Sequence, residues 1–86
     1  MSKYQYEVRE IDAWSSPEGW TWNTSYYMGT MSTRAENVGK ALSHYLKQHH
    51  GITFKANRTR TQDDGNVVEI IDRKTGEPLF AAIPMF

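Results

Sequence analysis

The basic residues in the middle of the chain are the first candidates for binding chemistry. Positions 33–62 carry six basic residues and one acidic residue, whereas positions 1–32 and 63–86 carry net charges of −2 and −3. Four of these basic residues lie near the end of a predicted helix and along the following strand: Lys47, Lys55, Arg58 and Arg60. Lysine and arginine among threonine and asparagine suit contacts with backbone phosphates. These four basic residues therefore predict a contact with nucleic acid.

Two observations weigh against that hypothesis. The chain as a whole has a formal net charge of zero, and no nucleic-acid-binding motif accompanies the basic segment. If the strand containing Arg58 and Arg60 lies at a sheet edge, its charges also serve to prevent edge-to-edge association. Nucleic-acid binding is therefore the second functional hypothesis, after protein binding, and an enzyme is the third.

Aromatic and apolar residues outside the expected core are the second set of candidates. Trp20, Trp22, Tyr26 and Met28 share one parity of a predicted strand, so we expect them to cover the apolar stripe of the helix. Trp14 and Tyr27 fall outside that set and are candidates for a surface contact. The last predicted strand has apolar residues on both parities, with Phe80 and Ala82 on the second. A sheet face too apolar for water usually marks an interface, so Trp14, Tyr27 and Phe80 form the predicted protein interface.

Metal binding and catalysis have weaker support in the sequence. His44, His49 and His50 are five, six and one residues apart, whereas two ligands on one helix face need a spacing of three or four. Asp63 and Asp64 lack the spacing of a calcium loop. No nucleophile elbow or phosphate-binding loop is present. We therefore predict a non-enzyme without a metal or cofactor.

One helix is predicted between two clear boundary signals. Thr33 and Glu36 have the spacing of a capping box, and Gly51 can adopt the left-handed conformation that ends a helix. Apolar or aromatic residues follow at steps of three and four, which indicates one buried stripe: Ala35, Val38, Leu42, Tyr45, Leu46 and His49.

Alternating apolar residues and turn signals predict five strands around this helix. Their expected ranges are Lys3–Ala13, Trp20–Thr30, Ile52–Thr61, Val67–Asp72 and Leu79–Met85. The alternation slips near Arg9 and Glu10, which predicts either a bulge or the end of the strand there. Turns are expected at Trp14–Gly19, at Asp64-Gly65 and at 73–78.

The two-sided fifth strand should be central, so the predicted spatial order is 2-1-5-4-3. The predicted fold class is α+β: a two-layer sandwich of one α-helix on a mainly antiparallel five-stranded sheet, with the chain order β-β-α-β-β-β.

Composition limits the remaining possibilities. With 86 residues the chain predicts a single domain, and eleven Trp, Tyr and Phe residues can supply much of a small core. There is no cysteine, no secretion signal and no long apolar run, so we expect a cytoplasmic protein. The leading hypothesis is a small non-catalytic interaction domain that binds a protein partner or itself through an apolar sheet face.

Overall fold

A five-stranded sheet with one helix forms the domain. The computed structural model describes residues 3–53, 57–61 and 67–85, and for 57–61 it describes the backbone alone. In chain order the elements are β1 (Tyr4–Ser16), β2 (Gly19–Thr33), a 3₁₀ turn (Ala35–Asn37), α1 (Val38–His50), β3 (Asn57–Thr61), β4 (Val68–Asp72) and β5 (Pro78–Pro84). The predicted α+β class and the predicted chain order are confirmed.

The strands lie in the order β2-β1-β5-β4-β3, and every neighbouring pair is antiparallel. This is the predicted spatial order. Its physical basis is visible in β5, where Phe80, Ala81 and Ala82 are all buried although they alternate between the two faces. A strand that is apolar on both faces is stable only where both faces are covered, which places β5 at the centre.

The helix covers one face of the sheet through a stripe at four-residue spacing. Val38, Leu42 and Leu46 are buried and form a core with seven sheet residues: Tyr6, Val8, Met31, Val68, Ile70, Phe80 and Ala82. Burial of each leucine contributes about 1.5–3 kcal/mol. Tyr45 of the predicted stripe is partly buried against this core, and the two remaining members do not belong to it. Ala35 is exposed in the 3₁₀ turn, and His49 is exposed beside the ring of Tyr45.

The two predicted helix boundaries have opposite outcomes. The prediction of a capping box is wrong. Thr33 is the last residue of β2, and the residue that caps the 3₁₀ turn is Arg34, which is extended and makes no side-chain capping hydrogen bond. The end at Gly51 is confirmed, with a φ of 67°. The Gly51 and Ile52 amides donate to the carbonyls of Lys47 and Leu46 at 3.2 and 3.1 Å, which satisfies two groups that every helix end leaves open.

The β1–β2 hairpin is longer and more irregular than predicted. Its strands extend to Ser16 and from Gly19, so only Pro17 and Glu18 remain in the turn. The register shifts twice, because Val8 pairs with Gly29, Arg9 with Tyr27, and Ile11 with Thr24. The predicted bulge beside Glu10 is confirmed, and the extra residues belong to β2. Each bulge increases the local twist of the strand pair.

The second half of the chain contains the three predicted strands. β3 and β4 are shorter than predicted, and β5 is shifted by one residue to Pro78–Pro84. The predicted third strand began at Ile52, whereas β3 begins at Asn57; Ile52 and Thr53 are not in a strand, and 54–56 lie outside the described residues. The predicted turn at Asp64-Gly65 also lies outside them. The turn between β4 and β5 is present, and the Asp72 carboxylate accepts hydrogen bonds there from the amides of Lys74 and Thr75.

Candidate interaction site

Two of the three predicted interface residues are exposed and the third is not. Trp14 is 46% exposed and Tyr27 is 49% exposed. Phe80 is only 9% exposed and belongs to the core beneath α1, so its assignment to a protein interface is wrong. The reason is that Phe80 and Ala82 face the helix. The apolar parity that suggested an open sheet face is the parity that α1 covers.

The prediction that four residues of β2 cover the helix is correct only for Met28. Met28 packs against the core, whereas Tyr26 is 65% exposed. Both register shifts of the hairpin fall between Thr24 and Gly29. A bulge reverses the faces of the residues that follow it, so the regular alternation assumed for Trp20 through Met28 does not hold.

Trp20 and Trp22 instead form hydrogen bonds with the second half of the chain, in β4 and in the turn that follows it. The Trp22 indole donates a hydrogen bond to Oε1 of Glu69 in β4 at 2.6 Å, and the Trp20 indole donates to the Thr75 carbonyl at 3.3 Å. Glu69 has no exposed surface, and its apolar neighbours Ile71 and Ala81 are also buried outside the core under α1. The β1–β2 hairpin therefore helps to cover the face of the sheet opposite the helix.

The C-terminal end of α1 is fixed to the bulge of β2. Met28 has no cross-strand partner in β1, and its carbonyl accepts hydrogen bonds from the Tyr45 hydroxyl at 3.3 Å and from Nε2 of His50 at 2.8 Å. Gly29 allows this approach: a Cβ at that position would lie 1.9 Å from the Tyr45 hydroxyl oxygen. Two helix side chains thus satisfy a carbonyl that the bulge sets apart from the strand pairing.

The structure describes the backbone of three of the four predicted nucleic-acid contacts, and these three residues belong to two separate elements. Lys47 is exposed in the last turn of α1, the end that is fixed to β2. Arg58 and Arg60 are part of β3, at the opposite edge of the sheet, where their backbone register partners are Ile71 and Glu69. Four strand spacings separate the two edges, about 19 Å. Lys55 lies outside the described residues.

The outer edge of β2, with which no other described strand pairs, is the site that the sequence interpretation did not identify; it is called the free edge below. β2 is the outermost strand on its side of the sheet and has 15 residues, none of them charged. Its exposed large hydrophobic side chains are Tyr26 and Tyr27. Arg9 supports Tyr27 from β1, with its guanidinium carbon 5.1 Å from the ring centroid, and Arg9 also pairs with Glu7. The uncharged composition of Gly19–Thr33, together with the predicted strand order, was the signal that could have identified this edge.

The described part of the chain contains neither a metal-binding cluster nor a membrane-spanning helix. Within residues 3–53, 57–61 and 67–85, no group of three His, Asp or Glu side chains lies close enough together to hold a metal ion. None of the helical segments described has the length and apolar character that crossing a membrane requires. The non-enzymatic character and the cytoplasmic location stay predictions.

Comparison with known proteins adds no family to these observations. No model of a protein family matches the chain, no curated protein is significantly similar to it in sequence, and no solved structure matches it significantly. The interpretation of its function therefore rests on the exposed edge, its composition and its neighbouring charges.

Proposed function

We propose that this protein is a non-catalytic interaction domain that accepts an extended strand of a protein partner along the free edge of β2. One observation carries this proposal: an edge strand of 15 residues has no charged side chain. An open edge presents unpaired N–H and C=O groups to any chain that can pair with it. Binding by strand addition uses these groups for affinity and the neighbouring side chains for specificity.

The two edges of the sheet differ in how they are protected. Edge strands of soluble proteins are commonly short or carry charged residues, since both features discourage pairing with other chains. β3 fits this description, with five residues of which Arg58 and Arg60 are two. β2 is three times as long, and neither a charge nor a proline interrupts it. This contrast supports β2, rather than β3, as the binding edge.

The bulges restrict where a partner strand can pair. They lie at Met28 and beside Tyr26, and they leave two regular segments, Gly19–Thr24 and Gly29–Thr33. Each segment has the length of an ordinary strand of about 5–6 residues. Tyr26 and Tyr27 lie between the two segments and supply exposed aromatic surface. Aromatic side chains of this kind contribute much of the energy of protein interfaces.

The proposal is tested by selecting random twelve-residue peptides displayed on phage against the full chain. We expect the selected peptides, made synthetically, to slow hydrogen exchange of backbone amides in Gly19–Thr24 or Gly29–Thr33. Thr24→Lys places a charge on the edge and should weaken binding of such a peptide at least tenfold. Gln48→Lys makes the same charge change on the exposed surface of α1 and should leave the affinity unchanged. Failure of the monomeric chain to select any peptide, or exchange protection confined to α1, contradicts the proposal.

Nucleic-acid binding by Lys47, Lys55, Arg58 and Arg60 stays a prediction. Its measurement is a titration with single- and double-stranded oligonucleotides at low and high salt, because phosphate contacts weaken steeply as salt rises. The variant Arg58→Ala with Arg60→Ala should lose any such binding. No binding at low salt would exclude this hypothesis.

A further inference from the structure

We propose that the occupant of the β2 edge is a second copy of this chain, paired antiparallel with β2 of the first. This inference rests on the proposed function, because it uses the same edge. It adds the identity of the partner and the direction of the pairing. Its motivation is the position of the charges that flank the uncharged strand.

An acidic residue and a basic residue flank the two ends of β2. Glu18 immediately precedes the strand and Arg34 immediately follows it, and both are exposed. In an antiparallel pair the start of one strand lies beside the end of the other. Each Glu18 would therefore lie beside the partner copy's Arg34, which forms two equivalent opposite-charge contacts. Parallel pairing would bring like charges together at both ends, and like charges directly opposite one another are destabilising.

The irregularities of β2 are compatible with the same arrangement. If Gly19 of one copy pairs with Thr33 of the other, the two-fold axis passes through Tyr26, the most exposed large hydrophobic side chain described. A two-fold contact uses the same surface on both copies. The regular segment Gly19–Thr24 then faces residues 28–33 of the partner copy, and both bulges lie near the axis. Each copy offers a regular segment opposite the regular segment of the other.

The overall charge of the chain does not oppose self-association. Ten basic and ten acidic residues give a formal net charge of zero at pH 7. Proteins whose net charge is far from zero repel their own copies, and this repulsion favours the monomer. Here the long-range repulsion between two copies is small. The local charges at the two ends of β2 therefore decide whether antiparallel or parallel pairing is preferred.

A charge-exchange experiment tests this arrangement directly. The dimerisation constant of the full chain is measured by sedimentation equilibrium for the unmodified protein, Glu18→Arg, Arg34→Glu and the double variant. Either single variant places two like-charged pairs in the dimer and should weaken it about tenfold, because two contacts change from attraction to repulsion. The double variant restores opposite charges and should return to within about threefold of the original constant.

Lys74→Glu provides the matched control, because it makes the same charge change as Arg34→Glu in the exposed turn before β5. It should leave dimerisation unchanged, and circular dichroism should show that all variants remain folded. A chain that stays monomeric at millimolar concentration overturns the inference, as does a double variant no stronger than the single ones. A monomer whose β2 amides are still protected by selected peptides overturns self-pairing alone. A monomer that binds no peptide overturns the proposed function as well.

Discussion

The indole nitrogen of Trp22 lies 2.6 Å from Oε1 of Glu69 and joins β2 to β4 across the two strands between them. Glu69 is completely buried. A buried carboxylate has lost its hydration, so donors that point at it contribute more than they would at the surface. This bond and the bond from Trp20 to Thr75 fix the hairpin to the second half of the chain.

Loss of the Trp22 donor should therefore destabilise the fold measurably. We expect Trp22→Phe to lower the free energy of unfolding by about 1–3 kcal/mol, since a buried acceptor loses a partner. Urea denaturation followed by circular dichroism measures the change. Trp14→Phe is the matched control, because Trp14 is half exposed and should change the stability by less than about 0.5 kcal/mol. Equal effects of the two variants would contradict the role given to the Trp22–Glu69 bond.

Gly29 should be intolerant of any side chain for two separable reasons. Its φ is 129°, and a Cβ would collide with the Tyr45 hydroxyl. Gly19 has a similar φ of 116° with nothing within 4 Å of its Cβ position. Gly19→Ala therefore measures backbone strain alone, on the order of 1–3 kcal/mol. We expect Gly29→Ala to be more destabilising than Gly19→Ala in urea denaturation, and Tyr45→Phe in the Gly29→Ala background to recover part of the difference.

The Met28 carbonyl should make Tyr45 and His50 energetically coupled. Both side chains donate to this one acceptor, so either single variant leaves one donor in place. We expect Tyr45→Phe and His50→Ala each to reduce stability by about 0.5–1.5 kcal/mol. The double variant leaves the carbonyl without either donor and should lose more than the sum of the two. A double-mutant cycle measures this difference, and strict additivity would show that the two bonds act independently.

Tyr6 should make the protein sensitive to alkaline pH. Burial, together with the nearby charges of Tyr4 and Glu36, raises the pKa of the Tyr6 hydroxyl above its ordinary value of 10.0. Because the folded pKa exceeds the unfolded one, the stabilising contribution is complete below pH 10.0 and is lost as the pH rises through the higher folded value. Thermal unfolding of Tyr6→Phe should depend less on pH in this range than that of the unmodified chain. Tyr26→Phe, at an exposed position, should behave like the unmodified chain.

Local patterns in the sequence were sufficient for the elements and for their order. The four-residue spacing of Val38, Leu42 and Leu46 determined which helix face is buried. Gly51 determined where the helix ends, because few other residues adopt a positive φ without strain. The apolar residues on both faces of β5 placed that strand at the centre of the sheet. Each of these signals acts within a few residues of the chain or on one strand.

Contacts between distant parts of the chain were decided only by the tertiary structure. Thr33 had the spacing of a capping residue, yet β2 includes it because pairing with Tyr4 extends the strand. The bulges near Met28 changed which β2 residues face the helix, so Tyr26 became exposed. Glu69 and Trp22 are 47 residues apart, and no periodicity within either strand indicates that they meet.

The sequence by itself therefore determined the fold class, the helix face and the strand order, because burial of apolar residues leaves a periodic signal along the chain. It also determined the absence of charge from Gly19 to Thr33 and the flanking Glu18 and Arg34. Only the tertiary structure decided that Phe80 lies beneath the helix and that Tyr26 is exposed on β2. Exposure depends on which elements cover one another, and that is a property of the assembled layers rather than of any one segment.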